Sequence, residues 1–271
     1  MSYNYYIPFY LDTHFFMSKK LFLSVIIPCY NEEENLKKEV LREVHDFLKK
    51  KKFLFEVIIS DDGSSDNSLN LVKKQIKNFK NFRLIKNRHG GKPFALWAAI
   101  KVAKGAYTLF CDMDLSTPIF QLDNLLPFVK GGYKVVIGSR GVGRDNFPLY
   151  RRMGSIIFMS LRKFFLLAEI NDTQCGFKLF RTDIVKNIFP KLEFFRKQQR
   201  VKGWNVTSFD VELLHLIKKQ GEAIKEVSVE WKDLDLSISK GGGLSRYINE
   251  SKEMLMQIMR VKINDIKGFY D

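Results

Sequence analysis

The chain has 271 residues, of which 45% are hydrophobic and 14% aromatic, which is the composition of a globular protein. This length suits one large α/β domain or two small ones and is sufficient for a real core. The formal net charge of +15 indicates an anionic partner: nucleic acid, a phosphorylated substrate or an anionic membrane surface. The three cysteines, Cys29, Cys111 and Cys175, lack metal-site spacing and predict buried free thiols in a reducing, cytoplasmic compartment.

We expect no segment of this chain to span a membrane. The N-terminal stretch 1–16 is aromatic, but it carries charge and has no basic start or cleavage site. The apolar stretch 155–170 is interrupted by Arg162 and Lys163 and is shorter than the roughly 20 residues that a spanning helix needs. Any contact with an anionic membrane surface would therefore be peripheral.

Apolar runs that read as strands alternate with helical segments along the chain. The predicted strands are 21–28, 55–60, 82–85, 107–111, 133–138 and 223–231, and the predicted helices are 32–52, 68–77, 93–103, 121–129, 209–220 and 245–263. Short connections between alternating elements predict an α/β fold with a doubly wound, mostly parallel sheet and helices on both faces. We expect an irregular segment at 1–20, one α/β domain at 21–240, and a C-terminal helix within 241–271 that lies near a membrane.

Polar side chains follow three of the predicted strands, at the edge where ligands of such sheets bind. Alternate strand residues face the same side, so Asp112 and Asp114 form a carboxylate pair. Such a pair predicts a site for Mg²⁺ or Mn²⁺ whose shell is completed by substrate phosphates. The other predicted members of this edge are Asn31, Glu32, Asp61 and Asp62.

Basic residues supply the candidate contacts to anions. The Gly-rich loop 87–92 ends in Lys92, which can offer a cation to a phosphate, although the loop lacks the P-loop pattern. Asp210 reads either as a first-turn helix acid or as a group near the reacting centre. The candidate phosphate or acceptor contacts are Arg140, Arg151, Arg152, Lys178 and Arg181.

These motifs together resemble a known family. The segments 28–32 (Pro-Cys-Tyr-Asn-Glu), 61–64 (Asp-Asp-Gly-Ser), 91–92 (Gly-Lys) and 112–114 (Asp-Met-Asp) are similar in order and spacing to the family 2 glycosyltransferases of GT-A fold. The segments 112–118, 138–140, 172–178 and 209–214 resemble the dolichyl-phosphate β-glucosyltransferase branch of that family.

The resemblance implies a nucleotide-diphospho-sugar transferase fold and a metal-dependent, inverting hexosyl transfer. Glucose from UDP is the favoured donor, and a polyprenyl phosphate such as dolichyl or undecaprenyl phosphate is the acceptor. Asp112 and Asp114 would bind the metal, and Arg140 with Arg151 or Arg152 would hold a phosphate. Asp210 would matter most with a hydroxyl acceptor. The residues that the resemblance places around the base and ribose are Pro28, Tyr30, Glu32, Asp61 and Asp62.

Three alternatives remain open at this point. The first keeps the donor site but transfers the sugar to a hydroxyl of a polysaccharide or glycoconjugate. The second is a basic nucleic-acid-binding protein, which the charge suggests but no binding module supports. The third is a nucleotidyltransferase, against which the start at 28–32 argues. No nucleic-acid partner is therefore expected.

The sequence also suggests how the chain would meet an anionic membrane surface. Ile156, Ile157, Leu161, Phe164 and Phe165 recur near helical spacing, and the two basic residues between them, Arg162 and Lys163, would face lipid headgroups. The competing interpretation is a buried helix over the active site.

Overall fold

The computed structural model describes residues 20–141, 159–196, 209–232 and 244–270. Its strands are β1 (Leu23–Cys29), β2 (Phe55–Asp61), β3 (Phe82–Lys86), β4 (Tyr107–Phe110), β5 (Val135–Ser139), β6 (Lys178–Arg181) and β7 (Ile224–Ser228). Its helices are Glu33–Lys37, Val40–Lys49, Ser68–Ile76, Lys92–Val102, Leu122–Lys130, Thr182–Ile188, Glu193–Arg196, Phe209–Lys219 and Leu244–Ile266, with 3-10 turns at Ile119–Gln121 and Phe189–Lys191 and further helical residues at 159–165.

The strands form one seven-stranded sheet in the order β3-β2-β1-β4-β6-β5-β7. Neighbouring strands pair in parallel except for β6, which is antiparallel to both β4 and β5. The carboxyl ends of the other strands therefore share one edge with the amino end of β6. The predicted mostly parallel sheet is confirmed.

Apolar clusters cover both faces of the sheet, as predicted. On one face, the helix Val40–Lys49 buries Leu41, Val44 and Leu48 against the sheet. On the other face, the helices Lys92–Val102 and Phe209–Lys219 pack their apolar residues against the alternate side chains of the strands. Such two-sided burial explains why β1 is a continuous apolar run rather than an alternating one.

Elements within 32–52 and within 178–196 differ from the sequence expectation. The single helix predicted at 32–52 is broken, because Glu39 has a left-handed backbone (φ 56°) between the helices Glu33–Lys37 and Val40–Lys49. Strand β6 was not predicted, since four residues within a basic and aromatic region give too short a pattern to recognise.

The C-terminal helix Leu244–Ile266 packs beside the helix Phe209–Lys219. Lys219 Nζ donates to Asp265 Oδ1 (2.8 Å), and the Tyr270 hydroxyl donates to Glu212 Oε1 (2.9 Å). Within the described ranges, no helix combines the length and apolar character needed to cross a membrane.

Candidate active site

The loops that follow β1 and β2 are tied to each other by side-chain hydrogen bonds. The Asn31 amide donates to Ser64 Oγ (3.0 Å), and Asn31 Oδ1 accepts from the Ser65 amide (2.8 Å). The Glu32 amide donates to Ser68 Oγ (2.7 Å). Asn31 adopts a left-handed backbone (φ 54°), a conformation that asparagine tolerates better than most residues. The two loops therefore form one preorganised rim of the site.

Asp62 holds the Gly-rich loop in place. Its fully buried carboxylate accepts from the amides of Gly90 (3.0 Å) and Gly91 (2.8 Å) and lies 2.9 Å from His89 Nδ1. Burial raises the pKa of Asp62, and these hydrogen bonds and the His89 contact act against that rise. Because the loop donates to both oxygens, Asp62 fixes the loop, and its contact with a nucleotide stays a prediction.

Asp61 is arranged differently from its neighbour. Its Oδ2 accepts from the amides of Gly63 (3.1 Å) and Ser64 (3.3 Å), whereas its buried Oδ1 accepts no hydrogen bond from the described residues. A buried acceptor without a donor is costly, so this oxygen is suited to an N–H or O–H donor of a ligand.

An aromatic pair lies beside these carboxylates. The rings of Tyr30 and His89 stack with centroids 4.4 Å apart and an interplanar angle of 20°. Pro28 is buried within β1 opposite Ser60, so it supports the loop from inside the sheet. Of the predicted base-lining residues, Tyr30 offers the planar surface.

The two aspartates lie beyond the end of β4, in coil and turn, and not in the strand from which their shared face was predicted. Asp112 and Asp114 are partly exposed, whereas Met113 and Leu115 are buried. The Ser116 amide donates to Asp114 Oδ1 (2.8 Å). Burial and the negative charge of Asp112 raise the pKa of Asp114, which is what two neighbouring carboxylates without a bound cation should show.

Gly176 gives Asp112 the space that it occupies. A Cβ on Gly176 would lie 1.8 Å from Asp112 Oδ2, closer than any non-bonded contact allows. No side chain larger than hydrogen fits there without moving the carboxylate. The 172–178 motif therefore contributes to the carboxylate pair through this glycine.

Two lysines neutralise the carboxylates at this edge. Lys92 Nζ donates to Asp112 Oδ1 (2.6 Å), and Lys178 Nζ donates to Asp210 Oδ1 (2.6 Å) and to the Cys175 carbonyl. Burial acts to lower the pKa of Lys92, but the charges of Asp112 and Asp210 outweigh it and raise that pKa. Lys178 is 1% exposed, so it positions Asp210 from within the sheet and is not a surface anion contact.

Glu32 belongs to the same electrostatic cluster. Burial raises its pKa to about 7 from an ordinary value of 4.5, although the hydrogen bond from Asn35 acts to lower that pKa. The charges of Asp114 and Asp112 act in the same direction as burial, while Lys92 opposes them. An excess of negative charge thus remains at the site.

Arg140 follows β5 at the same edge and is held rigidly. Its Nε and Nη2 donate to Asp172 Oδ2 (2.7 Å) and Oδ1 (2.8 Å), and its guanidinium lies 5.6 Å from the Trp231 ring centroid. Burial acts to raise the pKa of Asp172, but its hydrogen bonds with Arg140 lower it well below its usual range. Glu226 in turn accepts from the Asn171 and Asp172 amides (2.8 and 2.7 Å).

The structure does not bring every predicted residue to this edge. Arg181 pairs with Tyr107 at the start of β4, because the antiparallel direction of β6 carries it roughly 10 Å from Lys178. It forms an ion pair with Asp183 there (2.6 Å), so the prediction that Arg181 contacts a phosphate at the site is wrong. Arg151 and Arg152 lie outside the described residues.

The interfacial role predicted for Arg162 is wrong. Arg162 is 1% exposed and donates to Thr173 Oγ1 (2.7 Å) and to the carbonyls of Ile170 (2.8 Å) and Asn171 (2.9 Å). It therefore supports the segment before Asp172 and does not face lipid headgroups. Phe164 of the same helix is 82% exposed, and Ile156 and Ile157 lie outside the described residues.

The carboxylate pair fits a divalent cation that is shared with a ligand. Among the described residues there is no group of three or more acidic, His or Cys side chains able to enclose a metal. Asp112 and Asp114 supply two sets of hard oxygen atoms, and Gly176 leaves the room that the Asp112 carboxylate occupies. Mg²⁺ and Mn²⁺ bind in this way, with phosphate and water oxygens completing the shell.

Some residues of the site were not identified from the sequence. Gly176 was part of a motif but was given no role, although a glycine next to a buried strand is a signal of close approach. His89 was given no role from the sequence, yet it links Tyr30 and Asp62. Glu226 carries no sequence signal, since an acid within a strand is usually a solvated edge.

Comparison with known proteins identifies the class. The model of glycosyl transferase family 2 matches residues 24–189, so the chain belongs to that family and is a glycosyltransferase. The resemblance drawn from the motifs is confirmed.

The relatives narrow the class further. The chain is 32% identical over 267 residues to the dolichyl-phosphate beta-glucosyltransferase of Dictyostelium discoideum, which covers 92% of this chain and 76% of that protein. It is 30% identical to the enzyme of the same name from Saccharomyces cerevisiae, over 93% of this chain and 77% of that one.

Solved structures confirm the fold. Mannosyl-3-phosphoglycerate synthase from Rubrobacter xylanophilus superposes with a TM-score of 0.60 at 15% identity, over 92% of this chain and 75% of that one. Glucosyl-3-phosphoglycerate synthase from Mycobacterium tuberculosis, crystallised with Mn²⁺, UDP and phosphoglyceric acid, gives 0.58 at 18% identity, over 89% and 78%. At these identities the likeness establishes the GT-A fold alone.

Proposed function

We propose that this chain transfers glucose from UDP-glucose to a polyprenyl phosphate such as dolichyl phosphate. The observation that carries the proposal is the cluster at the sheet edge, in which Asp112, Asp114 and Asp210 are interleaved with the ammonium groups of Lys92 and Lys178. Alternating charges of this kind suit a diphosphate leaving group, a metal ion and an anionic acceptor together. The dolichyl-phosphate beta-glucosyltransferases among the relatives favour glucose and a lipid phosphate.

The base and ribose of the donor would occupy the rim after β1 and β2. The buried Oδ1 of Asp61, which accepts no hydrogen bond from the described residues, would accept from the ring N–H of a bound uracil, and Tyr30 stacked on His89 supplies an aromatic surface beside it. A solved GT-A structure with bound UDP supports this nucleotide. Asp62 contributes by fixing the Gly-rich loop next to Lys92.

Asp112 and Asp114 would hold a divalent cation on the diphosphate, where it would neutralise the charge that develops on departing UDP. The Lys92 ammonium is 2.6 Å from Asp112 and can act on the same phosphates. Arg140, held by Asp172, is the predicted contact for the donor diphosphate or the acceptor phosphate.

The proposed reaction is a direct displacement at the anomeric carbon. A phosphate oxygen of the acceptor attacks the anomeric carbon from the face opposite the diphosphate, and the bond from that carbon to the diphosphate oxygen breaks. UDP leaves with the electron pair, and the configuration of the anomeric carbon inverts. A lipid phosphate is already anionic near neutral pH, so no proton has to be removed before it attacks.

The C-terminal helix is the proposed contact with an anionic membrane on its cytoplasmic side. Met256, Met259, Ile263 and Ile266 are 44–74% exposed and recur at spacings of three and four, so they form one apolar stripe. Lys252 and Lys267 are exposed near the two ends of this stripe. An apolar stripe with basic residues beside it suits a helix that lies in a lipid interface.

A transfer assay tests the proposal. The chain is incubated with radiolabelled UDP-glucose, Mn²⁺ and either dolichyl phosphate in detergent or a soluble glycan acceptor. We expect label in the organic phase only with dolichyl phosphate, and at least a hundredfold less with Asp114→Asn. Label that enters only the soluble glycan would overturn the lipid acceptor in favour of hydroxyl transfer.

A further inference from the structure

An aromatic cluster begins directly beside the proposed reaction centre. Phe94 lies in the first turn of the helix that starts at Lys92, and its ring is 5.9 Å from that of Phe194 and 5.5 Å from that of Phe195, centroid to centroid. Trp97, one turn further along the helix, approaches Phe195 at 6.2 Å. We call Phe94, Trp97, Phe194 and Phe195 the aromatic cluster.

The cluster is joined to the site from two directions. Lys92, two residues before Phe94, contacts Asp112, while Phe195 packs on Phe189, whose ring is 5.9 Å from that of Phe209, the neighbour of Asp210. The aromatic cluster is therefore connected to the charged edge by the first turn of the helix Lys92–Val102 and by the buried rings of Phe189 and Phe209.

Phe94 is placed over the Gly-rich loop and remains accessible. A Cβ on Gly90 would lie 2.8 Å from Phe94 Cγ, so the ring covers this glycine closely. Phe94 is nevertheless 48% exposed, and Phe194 and Phe195 are only partly buried. A large aromatic that is ordered by its neighbours yet half open to solvent, next to a binding site, is an apolar surface available to a ligand.

The proposed acceptor has the complementary shape. A polyprenyl phosphate joins an anionic head to a branched, wholly apolar chain, and its phosphate has to reach the anomeric carbon at the charged edge. We propose, resting on the proposed function, that the aromatic cluster binds the first isoprene units of the acceptor while its phosphate lies at the Lys92 end. Removing this hydrocarbon from water against Phe94 would supply acceptor affinity without touching the donor.

Acceptor kinetics with short, dispersible lipids test this inference. Farnesyl phosphate and methyl phosphate are compared as acceptors for wild type and Phe94→Ala. We expect Phe94→Ala to raise the KM for farnesyl phosphate about tenfold, with the KM for UDP-glucose unchanged. Phe94→Leu, which keeps apolar bulk, should restore most of the loss, and methyl phosphate should react equally poorly with all three proteins.

The chain offers a matched control in Phe120, which is 45% exposed but belongs to a 3-10 turn outside the cluster. Phe120→Ala should leave the KM for farnesyl phosphate unchanged. Equal KM values for wild type and Phe94→Ala would overturn the inference and leave the proposed function standing. So would a change of oligomeric state in Phe94→Ala, which would make the cluster an interface between copies. Failure of wild type to use any polyprenyl phosphate would overturn the proposed function itself, and this inference with it.

Discussion

At the scale of single residues, the carboxylate pair depends on a missing side chain at a neighbouring glycine as much as on the hydrogen bond from a neighbouring lysine. Gly176 leaves room for one oxygen of Asp112, while Lys92 satisfies the other. The motif around Gly176 thus acts on the proposed metal site by leaving room for the Asp112 carboxylate. The role of this glycine can be tested separately from the role of the carboxylate.

We predict that Gly176→Ala weakens Mn²⁺-dependent binding of UDP at least tenfold, because the new methyl group displaces the Asp112 carboxylate. Isothermal titration with UDP and Mn²⁺ measures the effect. Gly131→Ala is the matched control, since its Cβ would meet its nearest neighbour at an ordinary 3.4 Å. Unchanged UDP affinity in folded Gly176→Ala would show that Asp112 is not a ligand of the metal.

The pKa of Glu32 gives a second prediction at this scale. Its folded-state pKa, about 7, lies above its ordinary value of 4.5, so the folded protein binds the proton more tightly than the unfolded chain. The resulting stabilisation is present below about pH 4.5 and is lost as the pH rises through 7. We therefore expect Glu32→Gln, without metal, to match wild type near pH 5 and to unfold at a temperature several degrees higher at pH 8.

Thermal unfolding between pH 5 and pH 8 measures this difference. Glu34→Gln is the control, because Glu34 is more exposed and lies in the same first turn. A constant difference between wild type and Glu32→Gln across this range would contradict the assigned pKa.

At the scale of elements, β6 decides which basic residues reach the site. It enters the sheet antiparallel between β4 and β5, so its first residue, Lys178, meets Asp210 and its last, Arg181, lies at the far edge. The buried Lys178–Asp210 pair joins this strand to the helix Phe209–Lys219. This ion pair therefore stabilises the contact between two elements that both carry residues of the site.

We predict that Lys178→Met lowers the free energy of unfolding by about 3–5 kcal/mol, because it leaves Asp210 without its buried cation. The double variant with Asp210→Asn should lose less than the sum of the two single changes. Denaturant unfolding gives the coupling energy. Lys163→Met, which removes only an exposed bond to Asn171, should cost under about 0.5 kcal/mol. A loss below about 1 kcal/mol in Lys178→Met would contradict a structural role for the pair.

The sequence predicted the parts of this fold that rest on long, regular patterns. The apolar runs of β1 and β2 were sufficient to predict these strands, because a strand that is buried on both faces is apolar along its whole length. The acids that follow the two runs were sufficient to predict the polar edge of the sheet. Strand β6, the break at Glu39 and the burial of Arg162 were not predictable in the same way. Each depends on contacts between distant segments, such as Arg162 with Thr173, that local patterns do not record.

At the scale of the whole molecule, the proposed donor site at the sheet edge has to meet an acceptor that resides in a lipid phase. The apolar stripe of the C-terminal helix is our proposed contact, in place of the helix that carries Phe164. Substitutions in these two surfaces should therefore affect binding to vesicles differently.

We predict that Met259→Ser with Ile263→Ser lowers partitioning onto anionic phosphatidylserine vesicles at least tenfold, since each side chain would otherwise be buried in the interface. Phe164→Ser, at an exposed residue outside the stripe, should have little effect. Flotation on a density gradient measures the bound fraction. The opposite ranking of the two variants would move the contact to the Phe164 helix.

The linkage of the product distinguishes transfer to a phosphate from transfer to a hydroxyl. The lipid formed from UDP-glucose and a polyprenyl phosphate is analysed by ³¹P–¹H correlation NMR. The account predicts a β-glucosyl phosphate whose anomeric proton is coupled to phosphorus, because a phosphate oxygen attacks with inversion of the anomeric carbon. A glucoside whose anomeric proton shows no coupling to phosphorus, or one of retained α configuration, would contradict it.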